Sequence, residues 1–191
     1  MNYTPKSDMI REVKAAAFIL AGGLSRRMER DKALLAFRGS TLLEHVAAQA
    51  AEVAEPITIV GPPERYSHLG YPVIADRHPG AGPLAGIEAA LLSSPSERAL
   101  ILACDMPDIP VDLLRSLFEK SGDCVIPRTG DGRLNPLCAV WSRAMLPAVQ
   151  GALSEGRLKV LDCLEGADVK EVAWPVLENA NTPDEWVKFA G

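Results

Sequence analysis

The chain predicts a three-layer α/β/α fold of Rossmann-like type with a mostly parallel sheet, and two observations lead there. Short runs that are apolar throughout recur at residues 15–20, 57–60, 99–103 and 124–126. Each has strand length and lacks polar/apolar alternation, which suits strands covered on both faces. Between the runs lie segments with helical spacing. Strand followed by helix, repeated, gives a mostly parallel sheet with helices on both sides.

In chain order, the run at 15–20 predicts the first strand. Thr41-Leu42-Leu43-Glu44 then has the spacing of a capping box, and Leu42, Val46, Ala50 and Val53 follow at helical intervals. A strand over 57–60 precedes the short apolar pair Val73-Ile74, and helices are predicted over 84–92 and 111–120. The second of these places Leu113, Leu114, Leu117 and Phe118 inward. The second half is less regular: strands over 137–141 and 169–172, and helices over 143–153 and 157–164. Thr182-Pro183-Asp184-Glu185 offers an N-cap, Pro at the first helical position and an early Glu, so a last helix carrying Trp186 and Phe189 is expected. With no repeat, low-complexity segment or Gly/Ser linker, the division is a polar leader over 1–13 and a single domain over 14–191.

At 191 residues, 48% hydrophobic and 24% charged, the chain can bury one sizeable core. The net charge of -5 provides no basic field for nucleic acid or an acidic membrane, so any anion must be bound locally. No stretch approaches the roughly 20 apolar residues that cross a bilayer, and the opening lacks an apolar signal core. Cys104, Cys124, Cys138 and Cys163 lie far apart with no CxxC pair. They read as reduced thiols in a cytoplasmic protein. His45, His68 and His78 form no ligand spacing and read as surface residues.

Ligands of open α/β sheets bind outside the carboxyl ends of the strands, and three such places are unusual here. After the first run, Gly22 and Gly23 let backbone N–H groups approach an anion, and Arg26, Arg27 and Lys32 bring three cations into one short segment. This reads as a local phosphate site, the alternative being a glycine turn followed by a solvated basic loop. It lacks the Gly-Lys-Ser/Thr ending of a Walker A loop and the G-x-G-x-x-G spacing of a dinucleotide fold. After the run at 99–103, Asp105 stands before Pro107-Asp108-Ile109-Pro110. A carboxylate at a strand tip can hold Mg²⁺ when substrate phosphates and water complete the coordination, and Asp108 reads as the cap of the next helix. After Val73-Ile74, the segment from Asp76 to Gly86 alternates Gly and Pro into a fixed loop ending at a helix N-terminus. There Asp76 could hydrogen-bond a sugar hydroxyl or a base, or simply close a turn.

Taken together, these residues resemble a known family. The stretch from Leu20 through Ala21, Gly22, Gly23, Arg26, Arg27 and Met28 to Asp31-Lys32 is similar to the L-A-G-G-x-S-x-R-M-G-x-D-K signature of the molybdenum cofactor guanylyltransferases. These belong to the nucleotidyltransferases built on a glycosyltransferase-A-like sheet. Asp76 before Gly82-Pro83-Leu84-Ala85-Gly86, then Cys104-Asp105-Met106-Pro107, then Asn135-Pro136, then the segment 179–185, follow in the family's order, so the resemblance spans about residues 15–190. It implies transfer of GMP from GTP to the phosphate of molybdenum-molybdopterin, with release of pyrophosphate. It further implies that Arg27 and Lys32, with the Gly22 and Gly23 backbone, hold the triphosphate, that Asp105 holds Mg²⁺, and that Leu20, Ala21, Gly22 and Asp76 touch the guanosine. Asn181 is a weaker candidate for the metal or acceptor phosphate, and Asn135 for the pterin. A molybdoenzyme or a cofactor-inserting chaperone would receive the product.

One departure stands out: Glu29 occupies a position where the family commonly has Gly. A cytidylyltransferase acting on the same cofactor is the nearest rival, but its loop reads Leu-Ala-Ala-Gly, and Gly22 favours guanine. Transferases that make nucleotide sugars share the loop without the Pro-Leu-Ala-Gly element. From another class, a non-catalytic nucleotide or cofactor carrier is favoured only by Glu29.

Overall fold

The structure is a computed structural model, and it describes residues 15–21 and 31–178. Its centre is a seven-stranded sheet of β1 (Ala16–Leu20), β4 (Ile57–Val60), β5 (Val73–Ile74), β6 (Arg98–Ala103), β7 (Cys124–Thr129), β8 (Cys138–Ser142) and β9 (Val169–Trp174). Their spatial order is β5-β4-β1-β6-β8-β7-β9. β1 pairs in parallel with β4 and β6, and β9 with β7; β8 alone runs antiparallel to its neighbours. The predicted mostly parallel α/β architecture is therefore the one observed.

Alternate side chains of each strand feed two cores. Ala17, Ile19, Leu100 and Leu102 face one layer, formed by α1 (Leu42–Ala51) and α4 (Val111–Phe118). Ala16, Phe18, Ile101 and Trp141 face the other, formed by α3 (Pro83–Ser93) and α5 (Leu146–Ser154). Because both faces are covered, the strands have no polar side to alternate. The cap predicted for α1 is present: Glu44 N donates to Thr41 Oγ1 at 3.2 Å, and Thr41 N donates to Glu44 Oε2 at 2.8 Å. Arg98 at the start of β6 donates to the Leu117, Phe118 and Lys120 carbonyls, so a cation satisfies the end of α4. Among the described residues no helix is long and apolar enough to cross a membrane, and all four cysteines are free.

Three local expectations are corrected. The helix predicted over 157–164 is confined to a 3-10 turn at Val160–Leu164. Gly156 takes a left-handed φ of 69° after α5, and within the segment Val160, Cys163 and Leu164 are the buried residues, a spacing that a 3-10 turn serves. Asp108 does not cap α4, whose N-cap position is Pro110. It pairs instead with Arg38, whose two terminal nitrogens lie 2.7 and 3.2 Å from the carboxylate oxygens. His45 is half-buried rather than a surface residue, its ring set edge-on against Phe37 with centroids 4.7 Å apart.

Two elements had not been expected. A hairpin of β2 (Ala36–Phe37) and β3 (Ser40–Thr41) turns through Arg38 and Gly39, both at positive φ. A short helix, α2 (Pro63–Tyr66), follows β4. The predicted last helix and the polar leader lie outside the described residues.

Gly61 and Gly86 differ in what a side chain would meet. A Cβ on Gly61 would stand 2.5 Å from Ala21 O and 2.8 Å from Tyr66 Cε2, whereas one on Gly86 would meet only the Leu20 methyl at 3.0 Å. The first obstacle is main chain and the second a flexible side chain. Gly61→Ala should therefore destabilise the fold by about 1–3 kcal/mol through forced backbone movement. Gly86→Ala, which gains about 1 kcal/mol of helix propensity, should come out near neutral. Urea unfolding midpoints of the two variants check the contrast.

Candidate active site

The carboxyl ends of β1, β4 and β6 meet in one place. Ala21 N donates to Val60 O at 2.8 Å, and Cys104 N donates to Leu20 O at 3.2 Å, so the tip of β1 is tied on both sides. Leu20 and Ala21 thus occupy the centre of the strand-tip edge, with the Leu20 side chain resting on Gly86 of α3. The Leu-Ala start of one motif and the Pro-Leu-Ala-Gly element of another are in direct contact.

Lys32 begins a 3-10 turn, Lys32–Leu34, whose N-cap is Asp31; Asp31 Oδ1 accepts from Ala33 N at 3.1 Å. Asp105 is half-buried just beyond β6. Both charges act on the Cys104 thiol, which precedes Asp105 in the chain. Loss of solvent, with the negative charges of Asp105 and then Asp31, pushes this thiol up to about 12, while the Lys32 ammonium draws it down. Lys32, Asp31 and Asp105 therefore share one electrostatic neighbourhood.

Asp76 lies at the end of β5, three strands from β6, or roughly 14 Å at ordinary strand spacing. Its Oδ1 accepts from His78 N at 3.1 Å, which closes the turn leading toward α3. His78 is exposed, and its Nε2 stands 3.2 Å from the Oε2 of Glu88, a carboxylate buried in α3. On the other flank, Ala103 N donates to Leu137 O at 2.8 Å, which brings Asn135 and Pro136 to the Asp105 side of the sheet. Trp141 Nε1 holds this turn through Pro136 O at 3.0 Å. The structure thus brings Leu20, Ala21, Lys32 and Asp105 together, with Asp76 and Asn135 on opposite flanks. Gly22, Gly23, Arg26, Arg27, Glu29 and Asn181 lie outside the described residues.

Two side chains at this edge carry no sequence signal of their own. Tyr66 is fully buried, and its hydroxyl donates to Asp31 Oδ2 at 2.8 Å. Arg65 Nη1 lies 3.6 Å from the same oxygen. Tyr66 and Asp31 are 35 positions apart, too far for spacing to link them.

Among the described residues no group of three His, Cys, Asp or Glu side chains could hold a metal ion. Asp105 offers a hard oxygen donor, and the remaining ligands would have to come from elsewhere. That donor set fits Mg²⁺, which commonly binds one or two carboxylates with substrate phosphates and water, and does not fit zinc.

A mostly parallel sheet with Asp105 just past one strand tip and Lys32 in a turn further along the chain from the next has the layout of a nucleotide-binding α/β domain, and the class, a nucleotidyltransferase, comes from known proteins. Residues 17–168 match the model of the MobA-like NTP transferase domain. The chain is 34% identical over 182 residues to a "Probable molybdenum cofactor guanylyltransferase" of Carboxydothermus hydrogenoformans, covering 90% of this chain and 92% of that one. It is 38% identical over 189 residues to a protein of the same description from Pelotomaculum thermopropionicum, covering 92% of each. The crystal structure of molybdopterin-guanine dinucleotide biosynthesis protein A from Archaeoglobus fulgidus superposes with a TM-score of 0.77, at 24% identity over 92% of this chain and 96% of that one. The chain belongs to the molybdenum cofactor guanylyltransferase family, within the MobA-like NTP transferases.

The signs at Cys104 give a test of the site's electrostatics. Because its pKa is raised, the thiolate fraction at pH 8 is small, and alkylation by iodoacetamide should run on the order of a thousandfold slower than in the unfolded chain. Asp105→Asn removes a raising charge and should speed alkylation at pH 9. Lys32→Ala removes a lowering charge and should slow it. Mass spectrometry of the Cys104 peptide reads both rates.

Proposed function

We propose that the protein is a Mg²⁺-dependent enzyme that transfers GMP from GTP to the phosphate of molybdenum-molybdopterin. The observation that carries this reading is the tie between Cys104 N and Leu20 O at 3.2 Å, which sets the next residue, Asp105, with its hard oxygen donors, beside the tip of the central strand. The guanylyltransferase descriptions of its relatives supply the substrate class.

In this reading a phosphate oxygen of the pterin acceptor attacks the α-phosphorus of GTP. A new P–O bond forms, the bond between the α-phosphorus and the bridging oxygen breaks, and pyrophosphate leaves with that electron pair. A phosphate monoester is largely ionised at neutral pH, so no general base has to remove a proton. Such transfer depends on in-line positioning and neutralisation of phosphate charge. Lys32 and Arg27, with the Gly22 and Gly23 backbone, hold the triphosphate and stabilise departing pyrophosphate. Asp105 holds Mg²⁺, which when bound neutralises phosphate charge and polarises the α-phosphate.

Leu20, Ala21 and Asp76 take the guanosine end. The roughly 14 Å between the tips of β5 and β6 suits a nucleotide laid across the strand ends with its base toward Asp76 and its phosphates toward Asp105. Asn135, on the far flank, is the candidate for the pterin side, and Asn181 the weaker candidate for the metal or the acceptor phosphate. We place the reaction in a single domain over 14–191, in the cytoplasm, with a molybdoenzyme or a cofactor-inserting chaperone as recipient.

Calorimetry with GTP, CTP, ATP and UTP, with and without Mg²⁺, tests the nucleotide. A GTP preference that strengthens with Mg²⁺ is expected; a CTP preference would point to the cytidylyltransferase reaction, and no nucleotide binding to a carrier. With the molybdenum-loaded pterin, pyrophosphate release should require Mg²⁺ and fall at least a hundredfold in Asp105→Ala. Full activity in that variant would remove Asp105 from the mechanism.

A further inference from the structure

A tyrosine buried to the last atom packs as well as a phenylalanine, but its hydroxyl has to find a partner or carry a cost. Tyr66 reaches past the crowded contact at Gly61, where its ring closes over the end of β4, to donate to Asp31 Oδ2 at 2.8 Å. Asp31 Oδ1 accepts from Ala33 N at 3.1 Å, and Arg65 Nη1 stands 3.6 Å from Oδ2. The Asp31 side chain is only 18% exposed. It links a residue of α2 to the first turn after the glycine-rich segment.

That turn is also held from its far end, where Ala33 is buried in the core and Leu42 N donates to Leu35 O at 2.9 Å, so Asp31 supplies the hold on the Lys32 side. The 3-10 turn Lys32–Leu34 is three residues long, and so short a piece does not set its own orientation in water. Asp31 is the residue before Lys32, so fixing its side chain from two sides fixes the main chain from which the Lys32 ammonium extends. Burial first, and the Asp31 carboxylate second, hold the Tyr66 phenol far above its ordinary pKa, so it stays a donor at any working pH.

We propose that the Tyr66 hydroxyl is a positioning group for catalysis: through Asp31 it sets the Lys32 ammonium where the polyphosphate of the nucleotide binds. The proposal rests on the reading of Lys32 as a triphosphate ligand. Tyr66 itself touches no substrate. Its effect passes through the cap of one short turn.

The test uses the full chain, with calorimetry of inorganic tripolyphosphate and of GTP in the presence of Mg²⁺. Tyr66→Phe keeps the ring and removes the hydroxyl, and should weaken both ligands by the same factor, about fivefold or more. In a Lys32→Ala background the same change should leave tripolyphosphate affinity where Lys32→Ala put it, while lowering Tm as it does in the wild type. A purely structural role would lower Tm without this selective loss. Asp31→Glu, which keeps the charge and moves the carboxylate by one methylene away from the Tyr66 hydroxyl and the Ala33 N–H, gives a second route if Tyr66→Phe does not fold, and should weaken tripolyphosphate in the same direction.

Tripolyphosphate binding in Tyr66→Phe as tight as in wild type would overturn the proposal and leave the nucleotidyl-transfer reading standing. An equal loss in the Lys32→Ala background would also overturn it, since the hydroxyl would then act through another group. If wild type binds tripolyphosphate but not GTP, the guanylyl reading fails and the tripolyphosphate ratios still decide the role of Tyr66. Wild type that binds neither overturns both.

Discussion

The main chain at Gly61 passes so close to Ala21 that no side chain fits between them, and the placing of the charged groups at the site follows from that contact. It forces the ends of β4 and β1 together. The Tyr66 ring crowds the same point, which locates α2 relative to the sheet. From α2 the phenol reaches Asp31, and from Asp31 the chain enters the turn of Lys32. On its opposite edge β1 is bonded to β6, whose extension carries Asp105. A cation and a carboxylate from distant parts of the sequence are thus fixed by one strand held between two neighbours.

Much of this was legible in the sequence because burial on both faces leaves a plain mark. Strands covered by helices on each side are apolar throughout, and those runs located β1, β4, β6 and β7. The capping box at Thr41 and Glu44 located α1, since two reciprocal hydrogen bonds require those residue types three apart. Where local pattern misled, tertiary structure had taken the residue for another use. Asp108 has the chemistry of a cap, but the Arg38 fork at the hairpin turn offers it two hydrogen bonds. The segment 157–164 has helical composition, yet its first residues find nothing apolar to cover. The β2–β3 hairpin, with two residues in each strand, is too short to show a period.

The site divides along the same line. Lys32 and Asp105 could be picked out because strand ends of an α/β sheet are where ligands bind, and charge there is rarely decorative. Asp76 could be picked out too, but not its second occupation: it accepts a backbone N–H, closing the loop that leads to α3. The pairing of Tyr66 with Asp31 could not be read at all. A tyrosine at the end of a short polar helix looks like a surface residue until the fold lays it over Gly61. The hydrogen bond exists only because two strand tips and one loop converge.

The charges at the strand tips then limit how a polyanion can be held. If Asp31 were left to the solvent, it would compete with any phosphate for the neighbouring Lys32 ammonium. Donors from Tyr66 and Ala33 occupy its oxygens and lessen that competition, but they are neutral and leave its negative charge in place. Arg65 offsets that charge, and Asp105 offsets Lys32 in turn. The four side chains together are close to neutral, which is a poor attraction for a triphosphate. In the proposed reaction the excess positive charge would come from a divalent cation on Asp105 and from the arginines that the sequence sets close behind Gly22 and Gly23. With the local field balanced in this way, nucleotide binding under the proposed function would depend on Mg²⁺ for its strength and not only for its chemistry.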